Sequence, residues 1–328
     1  MRRGPSVEAL VAGVLEGDRA LLARAITKIE SERPDHRAQA EAILAAVMPH
    51  AGGSRRIAVS GPPGAGKSTF IDAFGAMLLE EGRGVAVLAI DPSSPSSGGS
   101  ILGDKTRMVR LSRDPRAFIR PSPAGRTLGG VAAKTRETIL LCEAAGFDVV
   151  IVETVGVGQS ETMAAQMVDF FLVLLVAGAG DELQGIKRGI LELADMLAVN
   201  KADGENQARA EASRRDYQAA LRVTRGRGHV WDPPVLSCSG LLGLGLPEIW
   251  ERIEEHRRRL EEVGALERKR AEQAVLWMWR LVEGELIARL RGDAEIAALL
   301  PGLEDEVRAG ELAATTAARR ILRAFLDR

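Results

Sequence analysis

Cysteine, histidine and aromatic residues are scarce in this chain of 328 residues. It contains two cysteines and four histidines, and phenylalanine, tryptophan and tyrosine together make up 4% of it. Cys142 and Cys238 provide neither a disulfide framework nor a metal-ligand cluster, and they suit a reducing compartment. The histidines form no close pair, so surface or capping positions are predicted for all four. Disulfide-rich scaffolds and His/Cys metal centres are therefore not expected.

A long hydrophobic run and an excess of charge of one sign are also missing. The most apolar stretch, residues 170–177, is far shorter than the ~20 residues of a membrane-spanning helix and predicts a central strand instead. The first residues lack the apolar centre of a secretory signal, so no export is expected. The 44 basic and 45 acidic residues are interspersed, which gives no electrostatic footprint for nucleic acid or an anionic membrane. We expect a cytoplasmic protein with small-molecule or protein partners.

A phosphate-binding motif is the most prominent feature that is present. Residues 61–69 fit the Walker A pattern, in which the loop backbone and the next helix face phosphate oxygens. A buried strand at 57–59 and a helix from residue 70 onward give the motif its usual setting, with Lys67 reaching the β- and γ-phosphates and Ser68 holding Mg²⁺. A glycine-rich turn without a ligand is the alternative, and a dinucleotide-binding turn has no use for the Lys-Ser pair. The residues predicted to bind nucleotide here are Gly61, Pro62, Pro63, Gly64, Ala65, Gly66, Lys67, Ser68 and Thr69.

Carboxylates near the ends of predicted strands are candidates for a magnesium site. The apolar run at 85–90 ends at Asp91, which precedes a stretch rich in proline, serine and glycine. We interpret this stretch as a switch loop that orders around the γ-phosphate and Mg²⁺. Asp91 is the first candidate for the metal and Asp104 the second, while the alternative is that Asp91 only caps a turn before Pro92.

A second switch is predicted at the end of the run 148–153. Glu153 and Gly156 have the acid-x-x-Gly spacing in which the carboxylate holds Mg²⁺, directly or through water, and the glycine N–H contacts the γ-phosphate. In Ras-like proteins a glutamine directly follows this glycine and orients the attacking water. Here Val157 takes that place and Gln159 lies further on, so slow intrinsic hydrolysis is expected, with Gln159 as a catalytic candidate.

The motif Asn-Lys-x-Asp at 200–203 predicts guanine as the base. Asp203 can accept from N1–H and from the 2-amino group of guanine, whereas adenine lacks the amino donor and presents a lone pair at N1. Asn200 would brace the loop, and the stem of Lys201 can lie over the ring. After the last strand, loop backbone is predicted to contact guanine O6, with a simple strand-to-helix turn as the alternative. The residues of that loop are Ser239, Gly240 and Leu241.

The order of elements predicts the fold class. Further apolar runs at 169–176, 193–199 and 235–236 complete a set of buried strands separated by helices. With 46% hydrophobic residues, the chain can bury one α/β core and still carry helical appendages. We therefore predict an α/β protein with the doubly wound, mostly parallel sheet of a P-loop NTPase.

Helices are predicted on both sides of this core. Apolar residues at helical spacing occupy residues 7–48, and turn formers interrupt them at 49–54. We therefore predict three parts: an N-terminal helical extension at 1–53, a G domain at 54–250 and a C-terminal helical extension at 251–328. Large apolar residues in the last part fit either an intramolecular core or a dimer seam.

With these motifs assembled, the chain resembles the methylmalonyl-CoA mutase-associated GTPases, the MeaB/ArgK family of the human MMAA type. The likeness spans nearly the whole chain, and the termini match in helical character more than in residues. The segments that carry it are 91–94, 98–108, 129–138, 153–161 and 178–187.

The resemblance implies a homodimeric G protein of the SIMIBI type with helical extensions. It implies binding of GTP, GDP and Mg²⁺, with hydrolysis gating the loading of adenosylcobalamin onto an acyl-CoA mutase and protecting that mutase. Adenosylcobalamin would be met only through this partner, which would raise the hydrolysis rate by ordering the switch loops. In the family, the segment 178–187 acts as an additional switch, so Asp181, Gln184 and Lys187 join Lys67 and Glu153 as catalytic or coupling candidates.

Three other functions remain open at this point. A nucleotide-dependent kinase or ATPase serving basic amino-acid transport would need ATP preference, against which the Asn-Lys-x-Asp motif argues. A GTPase that inserts nickel generally carries His-rich or Cys-rich segments, which this sequence lacks. A scaffold that binds GTP without hydrolysing it is the third possibility.

Overall fold

The computed structural model describes residues 4–31, 33–90, 108–121, 128–154, 160–177, 188–224 and 230–326. The strands in these ranges all belong to one sheet. They are β1 (Arg55–Ser60), β2 (Val85–Ile90), β3 (Ala117–Arg120), β4 (Val149–Thr154), β5 (Phe170–Val176), β6 (Met196–Asn200) and β7 (Val235–Ser237). The spatial order is β3-β2-β4-β1-β5-β6-β7, and every neighbouring pair is parallel. The predicted doubly wound parallel sheet is therefore confirmed.

Helices connect the strands and extend the chain at both ends. They are α1 (Val7–Leu15), α2 (Arg19–Glu30), α3 (Pro34–Val47), α4 (Lys67–Glu80), α5 (Val109–Arg113), α6 (Leu128–Ala144), α7 (Ser160–Ala165), α8 (Arg188–Leu193), α9 (Gln207–Thr224), α10 (Leu246–Glu262), α11 (Ala265–Gly292), α12 (Ala294–Arg308) and α13 (Ala314–Leu326). Within the described ranges, none of these helices combines the length and the apolarity needed to cross a bilayer.

Alternate residues of the strands fill two apolar layers. On one face, Ile57 and its neighbours pack with Phe70 and Phe74 of α4 and with Trp250 of α10. The rings of Phe74 and Trp250 meet edge to face, with centroids 6.2 Å apart. On the other face, α6 packs against β2 and β4, and helices α1, α2 and α3 in turn pack against α6. The predicted N-terminal extension therefore covers a helix of the central domain.

Strand β3 was not predicted from the sequence. It has four residues, lies between Pro115 and Pro121, and forms the edge of the sheet next to β2. A four-residue run carries too little period-two signal to be distinguished from a loop. Burial of Phe118 and Ile119 holds this strand in the sheet.

The chain divides into two compact units, Met1–Gln273 and Ala274–Arg328. The first contains the sheet and the N-terminal helices, and the second contains the rest of α11 together with α12 and α13, which pack on each other. The predicted start of the C-terminal extension at residue 251 falls inside α10. Ile253 and Leu260 of that helix belong to the sheet's core.

A buried charged pair joins β1 and the linker before it to α6. The Glu143 carboxylate of α6 accepts from Arg56 Nε and Nη2, both at 2.8 Å. It also accepts from Gly52 N at 2.9 Å and Ser54 Oγ at 2.7 Å. Four donors compensate the cost of removing this carboxylate from water.

The predicted surface or capping role of the histidines is wrong for His256. This residue of α10 is 2% exposed, and its ring meets those of Phe170 and Trp231 edge-on, with centroids 5.0 and 5.1 Å away. Burial lowers the pKa of His256 to about 4, although the Asp195 carboxylate acts in the opposite direction. The residue lies on the buried face of an amphipathic helix, where its aromatic ring packs as an apolar group would.

Candidate nucleotide-binding site

The Walker A residues form a tight loop between β1 and α4. Gly66 caps the helix in the left-handed conformation with φ of 83°. Lys67 Nζ donates to the carbonyl oxygens of Gly61 at 2.8 Å and Pro62 at 3.1 Å. Its ammonium group therefore lies within the curve of the loop, where phosphate oxygens would meet it. Burial lowers the pKa of Lys67, while the Glu153 carboxylate acts in the opposite direction.

Ser68 and Glu153 bring two oxygen ligands together beside this loop. Ser68 Oγ donates to Glu153 Oε1 at 2.8 Å, which joins α4 to the end of β4. Adjacent ligands of an octahedral Mg²⁺ ion, each about 2.0–2.1 Å from the metal, lie about 2.9 Å apart. The spacing and chemistry of these two oxygens therefore fit a magnesium ion.

Asn200 connects the phosphate loop to the loop that follows β7. Its Nδ2 donates to the carbonyl oxygen of Ala65 at 2.8 Å, and its Oδ1 accepts from Gly240 N at 2.9 Å. The residue is 2% exposed. A Cβ atom at Gly66 would lie 2.9 Å from Asn200 Nδ2, so the close approach of the Asn200 side chain to the phosphate loop requires glycine there. The predicted bracing role of Asn200 therefore has a specific geometry in the structure.

Asp203 is held by a side chain rather than left free in solvent. Ser239 Oγ donates to Asp203 Oδ2 and accepts from Leu242 N at 3.1 Å, and Ser239 is fully buried. Lys201 has φ of 60° and is the one non-glycine residue in the described ranges with a positive φ. Such a backbone conformation costs about 1–3 kcal/mol and is concentrated at functional sites.

The loop after β7 lies against the first turn of α4. A Cβ atom at Gly240 would lie 2.8 Å from Phe70 Cα, so only glycine permits this contact. Leu241 is 69% exposed, and its side chain points away from the core. The structure thus brings together the predicted phosphate loop, Ser68 with Glu153, and the two loops predicted to meet the base.

Several predicted site residues lie outside the described residues. They are Asp91, Asp104, Gly156, Gln159, Asp181, Gln184 and Lys187.

One feature of the site and one helix cap were missed by the sequence reasoning. Ser239 was predicted to contribute its backbone, whereas its hydroxyl orients Asp203. Asp72 of α4 accepts from Arg110 N at 3.3 Å and Leu111 N at 3.0 Å, and so caps α5 from another helix. A serine two residues beyond a strand is a weak signal for the first role. No local signal identifies the second, because Asp72 and Leu111 are 39 residues apart.

Comparisons with known proteins agree with this geometry. A family model described as methylmalonyl Co-A mutase-associated GTPase MeaB matches residues 22–295. A putative GTPase of Caulobacter vibrioides is 55% identical over 319 residues, which cover 97% of this chain and 98% of that protein. The methylmalonic aciduria type A homolog, mitochondrial, of Mus musculus is 44% identical over 332 residues, covering 98% of this chain and 80% of that protein. A crystal structure of a LAO/AO transport system kinase is similar over 99% of both chains, with a TM-score of 0.78 and 38% identity.

Proposed function

Because this chain belongs to the methylmalonyl Co-A mutase-associated GTPase family MeaB, we propose that it binds and hydrolyses GTP to serve an acyl-CoA mutase. In this proposal, the nucleotide state gates the loading of adenosylcobalamin onto the mutase and protects the loaded enzyme. The observation that carries the nucleotide part is the joined arrangement of Lys67, Asn200, Asp203 and Ser239.

Guanine selectivity rests on the orientation of Asp203. The hydroxyl of Ser239 holds one carboxylate oxygen of this residue, and a carboxylate that accepts one hydrogen bond keeps acceptor sites on both oxygens for donors on the edge of the base. Guanine offers two donors there, and adenine offers none in the same arrangement. A site built to hydrogen-bond these groups rejects the analogue that lacks them by as much as ~10⁴ to 10⁵. The aliphatic stem of Lys201 would cover one face of the ring.

Hydrolysis would rely on positioning and on charge stabilisation at the γ-phosphate. Lys67 would turn from the carbonyl oxygens that it now contacts towards the β- and γ-phosphates. Ser68 and Glu153 would hold Mg²⁺, and the bound ion neutralises charge that develops on the phosphate oxygens. Asp91 and Asp104 are the further candidates for that metal. Gly156 would contact the γ-phosphate.

Turnover without the partner is proposed to be slow. The position after Gly156 is occupied by Val157, so no glutamine is adjacent to the switch glycine to orient water. Gln159 is the candidate for this role once a mutase orders the loop. Asp181, Gln184 and Lys187 are proposed to report the nucleotide state to the mutase.

We also propose that the protein is a cytoplasmic homodimer whose C-terminal helices contribute to the interface. Helix α11 exposes several large apolar side chains along its length, and exposed apolar surface of this kind is typical of contact surfaces. Those more than half exposed are Val275, Trp279, Leu286 and Ile287. A dimer would bury them, and sedimentation velocity at micromolar concentration should then give twice the monomer mass. The two buried free thiols, Cys142 and Cys238, suit a reducing compartment.

Two measurements test the proposed function. Calorimetric titration with GDP, GTP and ATP should show binding of the guanine nucleotides alone, and Asp203→Ala should abolish the preference. Equal affinity for ATP would instead support a kinase function, such as the one in the name of the similar LAO/AO transport system kinase. Single-turnover hydrolysis of GTP should then accelerate when an adenosylcobalamin-dependent mutase is added. Equal rates with and without the mutase would exclude activation by this partner.

A further inference from the structure

The final residues of two central strands carry hydroxyl groups that bond to each other. Thr154 Oγ1 at the end of β4 donates to Ser60 Oγ at the end of β1, at 3.0 Å. Both residues are at most 1% exposed. In the strand register, Val59 is paired with Glu153, so the two hydroxyls lie side by side one residue further along. Because the pair is buried, water does not compete for this bond.

This hydroxyl pair directly follows the last residue pair of the β1–β4 ladder, Val59 with Glu153. Because successive side chains of a strand point to opposite faces, Thr154 lies on the other face of the sheet from the Glu153 carboxylate, which accepts from Ser68. The backbone ladder joins β1 and β4 up to Glu153, and the Ser60–Thr154 bond continues that connection by one residue at the edge where Glu153 meets Ser68.

The Ser68–Glu153 bond and the Ser60–Thr154 bond differ in what can break them. A magnesium ion would compete for both oxygens of the first bond, since Ser68 Oγ and Glu153 Oε1 are the atoms that would bind it. The hydroxyls of the second bond are buried. It can therefore keep the ends of β1 and β4 at a constant separation while the contact between Ser68 and Glu153 changes.

We propose that Ser60 and Thr154 are positioning residues for the magnesium site, which keep Glu153 at the correct distance from Ser68. This inference rests on the magnesium binding in the proposed function. A purely structural pair, in contrast, would contribute to stability without any effect on how the metal acts on bound nucleotide.

The test measures the release of a fluorescent GDP analogue as a function of free Mg²⁺, which requires no hydrolysis. Thr154→Val removes the hydroxyl and keeps the branched shape, whereas Thr154→Ser retains the hydroxyl. We expect the valine variant to need roughly three- to tenfold more Mg²⁺ to slow release, the effect of one neutral hydrogen bond. Its affinity for GDP in EDTA should stay within twofold of the wild-type value, and the serine variant should behave as wild type.

Thr135→Val provides the matched control. Thr135 is 2% exposed, and its hydroxyl donates to Val131 O within α6 at 2.9 Å. This variant removes a buried threonine hydroxyl whose hydrogen bond stays within one helix. The Mg²⁺ dependence of GDP release should therefore be the same in Thr135→Val as in the wild type.

The possible outcomes distinguish the metal site from the positioning role. A wild-type protein whose GDP release ignores Mg²⁺ would refute the proposed metal site. If the wild type responds and Thr154→Val responds at the same Mg²⁺ concentration, the positioning role is wrong. An equal shift in Thr135→Val would also overturn it. If Thr154→Val does not fold, Ser60→Ala removes the acceptor of the same bond and is judged by the same shift.

Discussion

Replacing Asn200 by alanine should weaken both the fold and the binding of guanine nucleotides. The Asn200 side chain makes one hydrogen bond to Ala65 O at 2.8 Å and one from Gly240 N at 2.9 Å, in a buried position. Each buried group that loses its partner costs about 1–3 kcal/mol. Water entering the vacated space would satisfy part of this demand, so we expect a loss of about 2–4 kcal/mol in the free energy of unfolding.

The effect on affinity follows from the same two bonds. Without Asn200, nucleotide binding must order the phosphate loop and the loop after β7 separately. An additional ordering cost as large as the loss in stability, about 2–4 kcal/mol, would lower affinity by roughly 30- to 1,000-fold, since each 1.4 kcal/mol is a factor of ten, and this sets the upper limit of the effect. Asn200→Asp should not restore affinity, because it keeps the acceptor for Gly240 N but places a second oxygen against Ala65 O.

Urea denaturation and calorimetry with GDP would measure the two effects. Asn206→Ala is the control, because this exposed asparagine lies six residues further on in a short 3₁₀ turn. If Asn200→Ala binds GDP within threefold of the wild type and unfolds at the same urea concentration, the side chain does not join the two loops in solution.

Three further predictions concern stability and access to the site. Glu143→Gln leaves buried Arg56 without its counter-charge and should cost about 3–5 kcal/mol in denaturant unfolding; a loss below 1 kcal/mol would contradict this. Because the pKa of His256 falls from 6.5 to about 4 on folding, the unfolded chain binds more protons between these pH values, so stability should decline as pH falls from 6.5 to 4. Between pH 7 and 4.5 this loss of stability is about 2 kcal/mol, and urea unfolding at these two pH values should show that it is absent from His256→Gln. Gly240→Val would force a Cβ against Phe70 and should weaken GDP binding at least tenfold in calorimetry, whereas an unchanged affinity would show that the loop can shift.

Most strands of the sheet, and the order of the nucleotide-binding motifs along the chain, could be predicted from the sequence. Strand β2 is a continuous apolar run bounded by turn formers, and its predicted limits 85–90 match the structure. Walker A and Asn-Lys-x-Asp have fixed spacings because each is built from one loop. Local patterns of this kind are complete within a few residues, so the sequence alone identifies them.

Features that depend on distant partners were not predictable. Glu143 meets Arg56 across 87 positions of sequence, and Ser60 meets Thr154 across 94. His256 is buried because α10 lies against the sheet, a fact that its own neighbours in sequence do not reveal. Such contacts depend on which strands and helices lie beside one another in the fold. Short-range sequence patterns do not specify that arrangement.

Because the Asn200 side chain hydrogen-bonds both the phosphate loop and the loop after β7, recognition of the base and recognition of the phosphates are coupled. Guanosine alone would contact only the base-binding loops, and tripolyphosphate alone only the phosphate loop. Neither would gain the entropic advantage of GTP, in which binding of the base holds the covalently linked phosphates close to their own loop. An inhibitor aimed at this protein would therefore gain most by spanning the base-binding loops and the phosphate loop, with a linker as stiff as the ribose that it replaces.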